Sequence, residues 1–179
     1  MGWSDVPLNQ RGIEEARKLS KDLQDVGLEV IYSSPLSRTL ETAKIVARPN
    51  YVKIIQNDAL KERNNGILEG TIAKIEFPDI YKKIDDPDFA PPGGESRNRH
   101  KCKVLNFIES IIITSEKNII GISTSNGAAM TILEEYIDRE LPPMNMPNAS
   151  YYRLDWDGKK LAMNEMPDWL AARYAVSNI

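Results

Sequence analysis

The sequence predicts an α/β fold of three layers, with a largely parallel sheet between helices on both faces. Short apolar runs of strand length alternate along the chain with longer segments of helical periodicity, the pattern that builds parallel sheets. The 179 residues are 41% hydrophobic and 27% charged. They suffice for a single globular domain, 1–179, burying roughly 70% of its unfolded surface. No segment repeats and none is of low complexity.

Asn9 can cap a helix over 10–26, with Ile13, Ala16, Leu19 and Leu23 as its apolar stripe and Gly27 at the left-handed stop. Residues 29–33 read as a buried strand. Ser34-Pro35 reads as the cap and first position of a second helix, which carries Leu40, Ala43 and Val46 and ends before Pro49. A second strand follows at 52–56. Residues 57–94 form an excursion with a polar stretch, a short helix near 72–77 and a Pro- and Gly-rich loop, of the kind that covers an active site. A long helix is predicted from Glu95 or Ser96 to Ile113, then a strand at 118–124 and a helix over 127–139. Asp157-Gly158, between strand-like runs at 151–156 and 160–164, signals a hairpin. Trp3, Trp156, Trp169 and the run Leu170–Tyr174 read as packing or interface residues, and Met144–Pro147 as a loop.

A net charge of −3 gives no electrostatic footprint for nucleic acid or an anionic membrane. No apolar run approaches the roughly 20 residues of a membrane span, and the start does not read as a signal peptide. Cys102, the one cysteine, excludes an internal disulfide framework and fits a reducing cytoplasm. His100 is the one histidine, so a multi-histidine metal site or a histidine pair is excluded within a single chain, and no metal or cofactor is expected. With Arg99 and Lys101 as neighbours, His100 reads as part of a solvated helix face. Cys102, two positions on, does not share its face for metal binding.

Four segments carry a family resemblance in order. They are Asp5-Val6-Pro7-Leu8-Asn9 with Gly12 and Ala16; Tyr32-Ser33-Ser34-Pro35-Leu36-Ser37-Arg38 with Glu41-Thr42-Ala43; Leu60-Lys61-Glu62 with Gly66, Glu69 and Gly70; and Gly93-Gly94-Glu95-Ser96. From Gly2 to about Leu154 the chain resembles the phosphoglycerate mutase-like, or histidine phosphatase, superfamily. The resemblance implies phosphoryl transfer through a phosphohistidine, in a pocket of two arginines, two histidines and a proton-donating carboxylic acid. It makes Arg38 the second phosphate-clamping arginine, whose paired donors fit phosphate oxygens. Its place after a strand, at the carboxyl end of the sheet, is where open α/β sheets bind ligands. Outside that motif Arg38 would read as a surface helix residue. Glu62 matches the acid, since a carboxyl group buried near a dianion is pushed toward its protonated form; by itself it reads as a solvated loop residue. Ser96 reads as a helix cap whose hydroxyl could also face the phosphate. Glu69 could serve loop geometry alone.

Two departures bear on function. The family opens with a strand ending in Arg-His-Gly, whereas here the segment that follows that strand, Gly2-Trp3-Ser4-Asp5, stands at the start. The resemblance therefore implies a phosphoglycerate mutase-like fold with its first strand missing, and with it the nucleophile and the first arginine. The missing strand is expected between those at 30–33 and 119–124, leaving a gap of roughly 10 Å, two strand spacings. Either the flanking strands close it by pairing with each other or a second chain fills it. Second, Ser125-Asn126-Gly127 stands where the family has Ser-His-Gly. Asn126 can donate to a phosphate oxygen but carries no charge, a loss of order 1 kcal/mol.

The resulting expectation is a protein of this family without phosphohistidine turnover, with residual binding of a small phosphorylated metabolite through Arg38, Asn126 and Ser96. Two alternatives stand beside it: a truncated or altered form of an active phosphatase or mutase, and a homo-oligomer or interaction protein whose missing strand another chain supplies. Few basic residues beyond Lys74, Lys82 and Lys83 lie in the excursion, which leans toward a phosphatase-like ancestor over a bisphosphoglycerate-dependent mutase.

Overall fold

Asn9 opens the first helix. In a computed structural model describing residues 2–136, 146–158 and 161–162, its side-chain oxygen accepts from the Gly12 N–H at 2.9 Å and starts α1 (Gln10–Asp22). The helix ends at Asp22 rather than Val26. The exposed residues 24–26 offer no apolar face for another turn, and the chain leaves through tight turns to Gly27, whose φ of +80° is the left-handed conformation expected there. Next come β1 (Val30–Ser33) and α2 (Ser37–Ala47).

The start of α2 departs from the Ser34-Pro35 expectation. Ser34 Oγ accepts only from the Leu36 N–H, at 3.3 Å, and Leu36 is the capping position, with no side-chain bond of its own. The helix is capped from a distance: Asp5 Oδ1 accepts from the Ser37 N–H at 2.7 Å and Oδ2 from its hydroxyl at 3.0 Å. A carboxylate is well suited to the positive end of a helix.

A 3₁₀ turn at Arg48–Asn50 leads into β2 (Lys53–Gln56). The excursion holds 3₁₀ turns at Asp58–Leu60 and Gly66–Leu68, then α3 (Ala73–Glu76), inside the predicted short helix, and α4 (Pro78–Tyr81), which was not predicted. Gly66 and Gly94 let the two ends of the excursion touch. A Cβ on Gly66 would lie 2.2 Å from the Pro92 carbonyl oxygen, and one on Gly94 would lie 2.7 Å from that of Asn64. Ser96 caps α5 (Arg97–Thr114) by accepting from the Arg99 N–H at 3.1 Å. Then come β3 (Ile120–Ser123), α6 (Asn126–Tyr136) and an antiparallel pair, β4 (Asp155–Trp156) and β5 (Leu161–Ala162), around Gly158 at φ +93°. The predicted helix end at Arg139, residues 144–145 of the loop, parts of the second hairpin strand, Trp169 and Leu170–Tyr174 lie outside the described residues.

The main sheet has the order β2-β1-β3, all parallel, with Val30 opposite both Lys53 and Ile120 and Ser33 opposite both Gln56 and Ser123. The gap expected between β1 and β3 does not exist, because the two strands are hydrogen-bonded neighbours along their whole length. Alternation sends Ile31 and Ile54 to one face, where they pack with Ala43 and Ala47 of α2. Tyr32 and Ile120 go to the other, against Val104, Ile108 and Ile111 of α5 and Ala128 and Ile132 of α6. The three-layer arrangement is thus observed. No described helix is long and apolar enough to cross a membrane.

His100 corrects a second expectation. It is buried, 4% exposed, rather than on a solvated face. It heads the stripe His100, Val104, Ile108 and Ile111, all buried, whereas Arg99 and Lys101 lie about 100° to either side.

The remote cap predicts that Asp5→Ala lowers stability by about 1 kcal/mol. It is read as a lower urea midpoint with unchanged slope, and Asp5→Asn should lose less.

Candidate functional site

Each main-sheet strand ends at the same level, and the site residues follow those ends. Ser33 and Ser34, at the end of β1, are fully buried. Their polar groups are satisfied locally: the Ser33 hydroxyl donates to the Ser34 carbonyl at 2.8 Å, and the Ser34 N–H donates to the Ser123 carbonyl at 3.0 Å. Thr39, 6% exposed, donates its hydroxyl to the Leu36 and Ser34 carbonyls at 2.8 and 3.2 Å. This turn fixes the first turn of α2, where Arg38 sits.

Arg38 is held at three points. Nη1 donates to the Ser4 carbonyl and Nη2 to the Gly2 carbonyl, both at 2.8 Å; Nη2 also reaches Ser125 Oγ at 3.4 Å. A guanidinium has five N–H donors. Two of them have no hydrogen-bond partner among the described residues. The segment before α1 is laced onto α2 throughout, since Glu41 also accepts from the Leu8 N–H at 2.8 Å.

Glu62 comes from the excursion. One carboxylate oxygen accepts from the Arg63 N–H at 3.0 Å and the other from the Gly127 N–H at 2.9 Å, in the first turn of α6. A Cβ at Gly127 would lie 2.1 Å from Glu62 Oε1, so a larger residue there would displace the carboxylate. Asn126, between the residues reached by Arg38 and Glu62, is exposed, and its Oδ1 accepts from the Met146 N–H at 2.7 Å. Arg38, Glu62 and Asn126 therefore converge on the turn Ser125–Gly127. Ser96 does not join them, and its hydroxyl is spent on its own helix. Glu69 serves the loops: its Oε1 accepts from the N–H groups of Trp3 and Asn65, both at 2.9 Å.

Three residues at the site escaped the sequence reading. Trp3, read there as packing, donates its indole N–H to the Glu62 carbonyl at 2.7 Å, with the Lys61 ammonium 4.6 Å from its ring centre. Arg63 has no hydrogen-bonded or ion-paired side-chain partner among the described residues. Burial and the nearby Arg97 push its guanidinium below its usual range, while Glu62 and Glu95 oppose this. Its adjacency to Glu62 was the available signal. His100 Nε2 lies 3.0 Å from the Lys61 carbonyl. Behind the site, buried Glu95 accepts from the Asn64 N–H at 3.0 Å and from Lys103 Nζ at 2.8 Å. Burial would raise its carboxyl, but the Lys103 bond and the Asn64 N–H outweigh that and hold it below the usual range. Among the described residues no group of three His, Cys, Asp or Glu side chains could hold a metal ion.

The profile of the histidine phosphatase superfamily (branch 1) matches residues 1–168. The chain belongs to that superfamily. Among histidine phosphatase relatives, it is 35% identical over 126 residues to a 2,3-bisphosphoglycerate-dependent phosphoglycerate mutase of Parvibaculum lavamentivorans, a match covering 63% of this chain and 58% of the mutase. It is 30% identical to phosphoserine phosphatase 1 of Hydrogenobacter thermophilus, covering 62% of this chain and 54% of that protein. The chain thus spans less than two thirds of the length of these relatives. Among solved structures, Bacillus stearothermophilus YhfR superposes with a TM-score of 0.81 at 28% identity, over 92% of this chain and 86% of YhfR.

Burial pushes the His100 imidazole below its usual range, and Lys103 adds to this; the Lys61 carbonyl, Glu62 and Glu95 oppose it. The fold therefore favours the neutral ring. That contribution to stability is complete above the unfolded value near 6.5 and is lost as pH falls below it. Urea unfolding at pH 7.5 and 5.5 should show a larger acid-side loss for the natural chain than for His100→Gln.

Proposed function

We propose that this chain binds small phosphate esters at Arg38 without turning them over. The observation that carries the reading is the pairing of a preorganised Arg38 with an asparagine, Asn126, in the turn that Arg38 and Glu62 reach. Arg38 is fixed by Ser4, Gly2 and Ser125 and keeps two donors for an anion. The one histidine is buried against the Lys61 carbonyl. Asn126 stands at the turn that Arg38 and Glu62 both reach. An amide has no lone pair basic enough to attack phosphorus or exchange a proton near neutral pH.

Relatives named as a phosphoglycerate mutase and a phosphoserine phosphatase support small phosphate esters as the ligand class. Two charge-assisted bonds, each worth about 1.5–3 kcal/mol before ordering costs, imply affinity of roughly millimolar strength. Titration with inorganic phosphate, followed by amide shifts, should saturate in that range and be lost in Arg38→Ala. Hydrolysis of p-nitrophenyl phosphate should stay at the uncatalysed rate. Turnover that Arg38→Ala abolishes would overturn the reading.

The free edge of β3 favours a second reading, in which a second copy completes the sheet. Among the described residues β3 pairs only with β1. The other sheet edge, β2, carries the exposed Lys53, a charge that discourages pairing, whereas Ile120-Gly121-Ile122-Ser123 has none and Ile122 is 36% exposed. Light scattering should then give a dimer mass that falls to the monomer in Ile122→Lys. A monomer at all concentrations removes this reading.

A further inference from the structure

Three consecutive backbone carbonyls, at Leu60, Lys61 and Glu62, are each held by a side chain from a different part of the fold. Thr124, just after β3, donates its hydroxyl to Leu60 at 2.7 Å. His100 Nε2 reaches Lys61 at 3.0 Å from α5, and Trp3 Nε1 donates to Glu62 at 2.7 Å from the segment before α1. A loop backbone is seldom fixed at every residue by side chains, most of which serve water or their own element. Immediately beyond the last of these carbonyls, the Glu62 side chain crosses to the Gly127 N–H.

Of the three donors only His100 titrates near neutral pH. A carbonyl can only accept, so the ring must carry its proton on Nε2, and a second proton would go to Nδ1. Nδ1 has no hydrogen-bond partner among the described residues. The charged groups around the ring are Lys103, one turn along α5, Glu95 ahead of that helix, and Glu62 on the loop itself.

We propose that His100 is a positioning residue for Glu62: its Nε2–H holds the Lys61 carbonyl and thereby keeps the Glu62 carboxylate on the Gly127 N–H. The functional weight of this inference rests on reading the Ser125–Gly127 turn, where Glu62 stands beside Arg38, as the anion site. The coupling itself is read without any turnover or phosphate binding, so either can fail independently.

The test is the Gly127 amide resonance in ¹H–¹⁵N spectra of the full chain, with Glu62→Gln defining its position once the carboxylate is lost. His100→Leu should move the resonance toward the Glu62→Gln position. His100→Gln, whose amide N–H can still donate to the Lys61 carbonyl, should leave it near the natural position. A Gly127 resonance unmoved in His100→Leu overturns the proposal. If His100→Leu does not fold, His100→Ala takes its place: a Gly127 resonance unmoved in that variant, or one moved to the Glu62→Gln position in His100→Gln, overturns the proposal equally.

Discussion

The parallel pairing of β1 with β3 places everything else at this site. Ser33 lies opposite Ser123, so the residues that follow the two strands leave the sheet at one level. Arg38 follows the first and Asn126 the second. A slip of one residue would reverse the faces of β3, exchanging Ile120 with Gly121 against the α5 and α6 core, and would shift the Ser125–Gly127 turn by about 3.3 Å along the strand. Arg38 reaches Ser125 at 3.4 Å and could not follow such a shift. The register is enforced by packing: Tyr32 and Ile120 fill one core and Ile31 and Ile54 the other, and neither set fits the opposite face.

Above that sheet the site is organised by backbone carbonyls and carboxylates more than by side-chain pairs. Arg38 is fixed by the carbonyls of Gly2 and Ser4, while Asp5 caps α2 and Glu41 holds Leu8. The segment before α1 is thus bound to the first turns of α2 at four places. Glu69 ties the same segment to the excursion through Trp3 and Ser4. Removing any one of these contacts leaves the others, which is why a single cap substitution is expected to weaken the fold without dismantling the site.

Much of this was legible in the sequence. Strand and helix alternation located the main sheet, the Asn9 and Ser96 caps and the Asp157-Gly158 hairpin, because each of those signals acts within a few residues of itself. The α2 cap was misplaced because its real partner, Asp5, is 32 residues away, and Ser34-Pro35 imitates a local cap. The solvated reading of His100 weighed its sequence neighbours, whereas burial on a helix is decided at positions 104, 108 and 111. Arg38, Glu62 and Asn126 were singled out by motif, and they do converge on one turn. Ser96 shared the motif but faces its own helix, since a cap hydroxyl already serves a backbone N–H. The roles of Trp3 and Thr124 as donors to the 60–62 backbone left no local trace, since they depend on which loop the fold lays beside them.

On the proposed binding reading, an asparagine at position 126 has an electrostatic consequence. The amino end of an α-helix attracts anions through its first N–H groups and the helix dipole. In this chain the Gly127 N–H already serves Glu62, and Asn126 Oδ1 is committed to Met146. An imidazolium at position 126 would have offset a carboxylate and a phosphate brought together at the same turn. An asparagine cannot, so an anion arriving at Arg38 meets Glu62 with no intervening positive charge from position 126. Binding a phosphate dianion there would be easier with the Glu62 carboxylate away from the Gly127 N–H. On that reading ligand affinity depends on where the Glu62 carboxylate is held, and the three carbonyls at 60–62, each bonded to a distant side chain, fix the backbone that carries it.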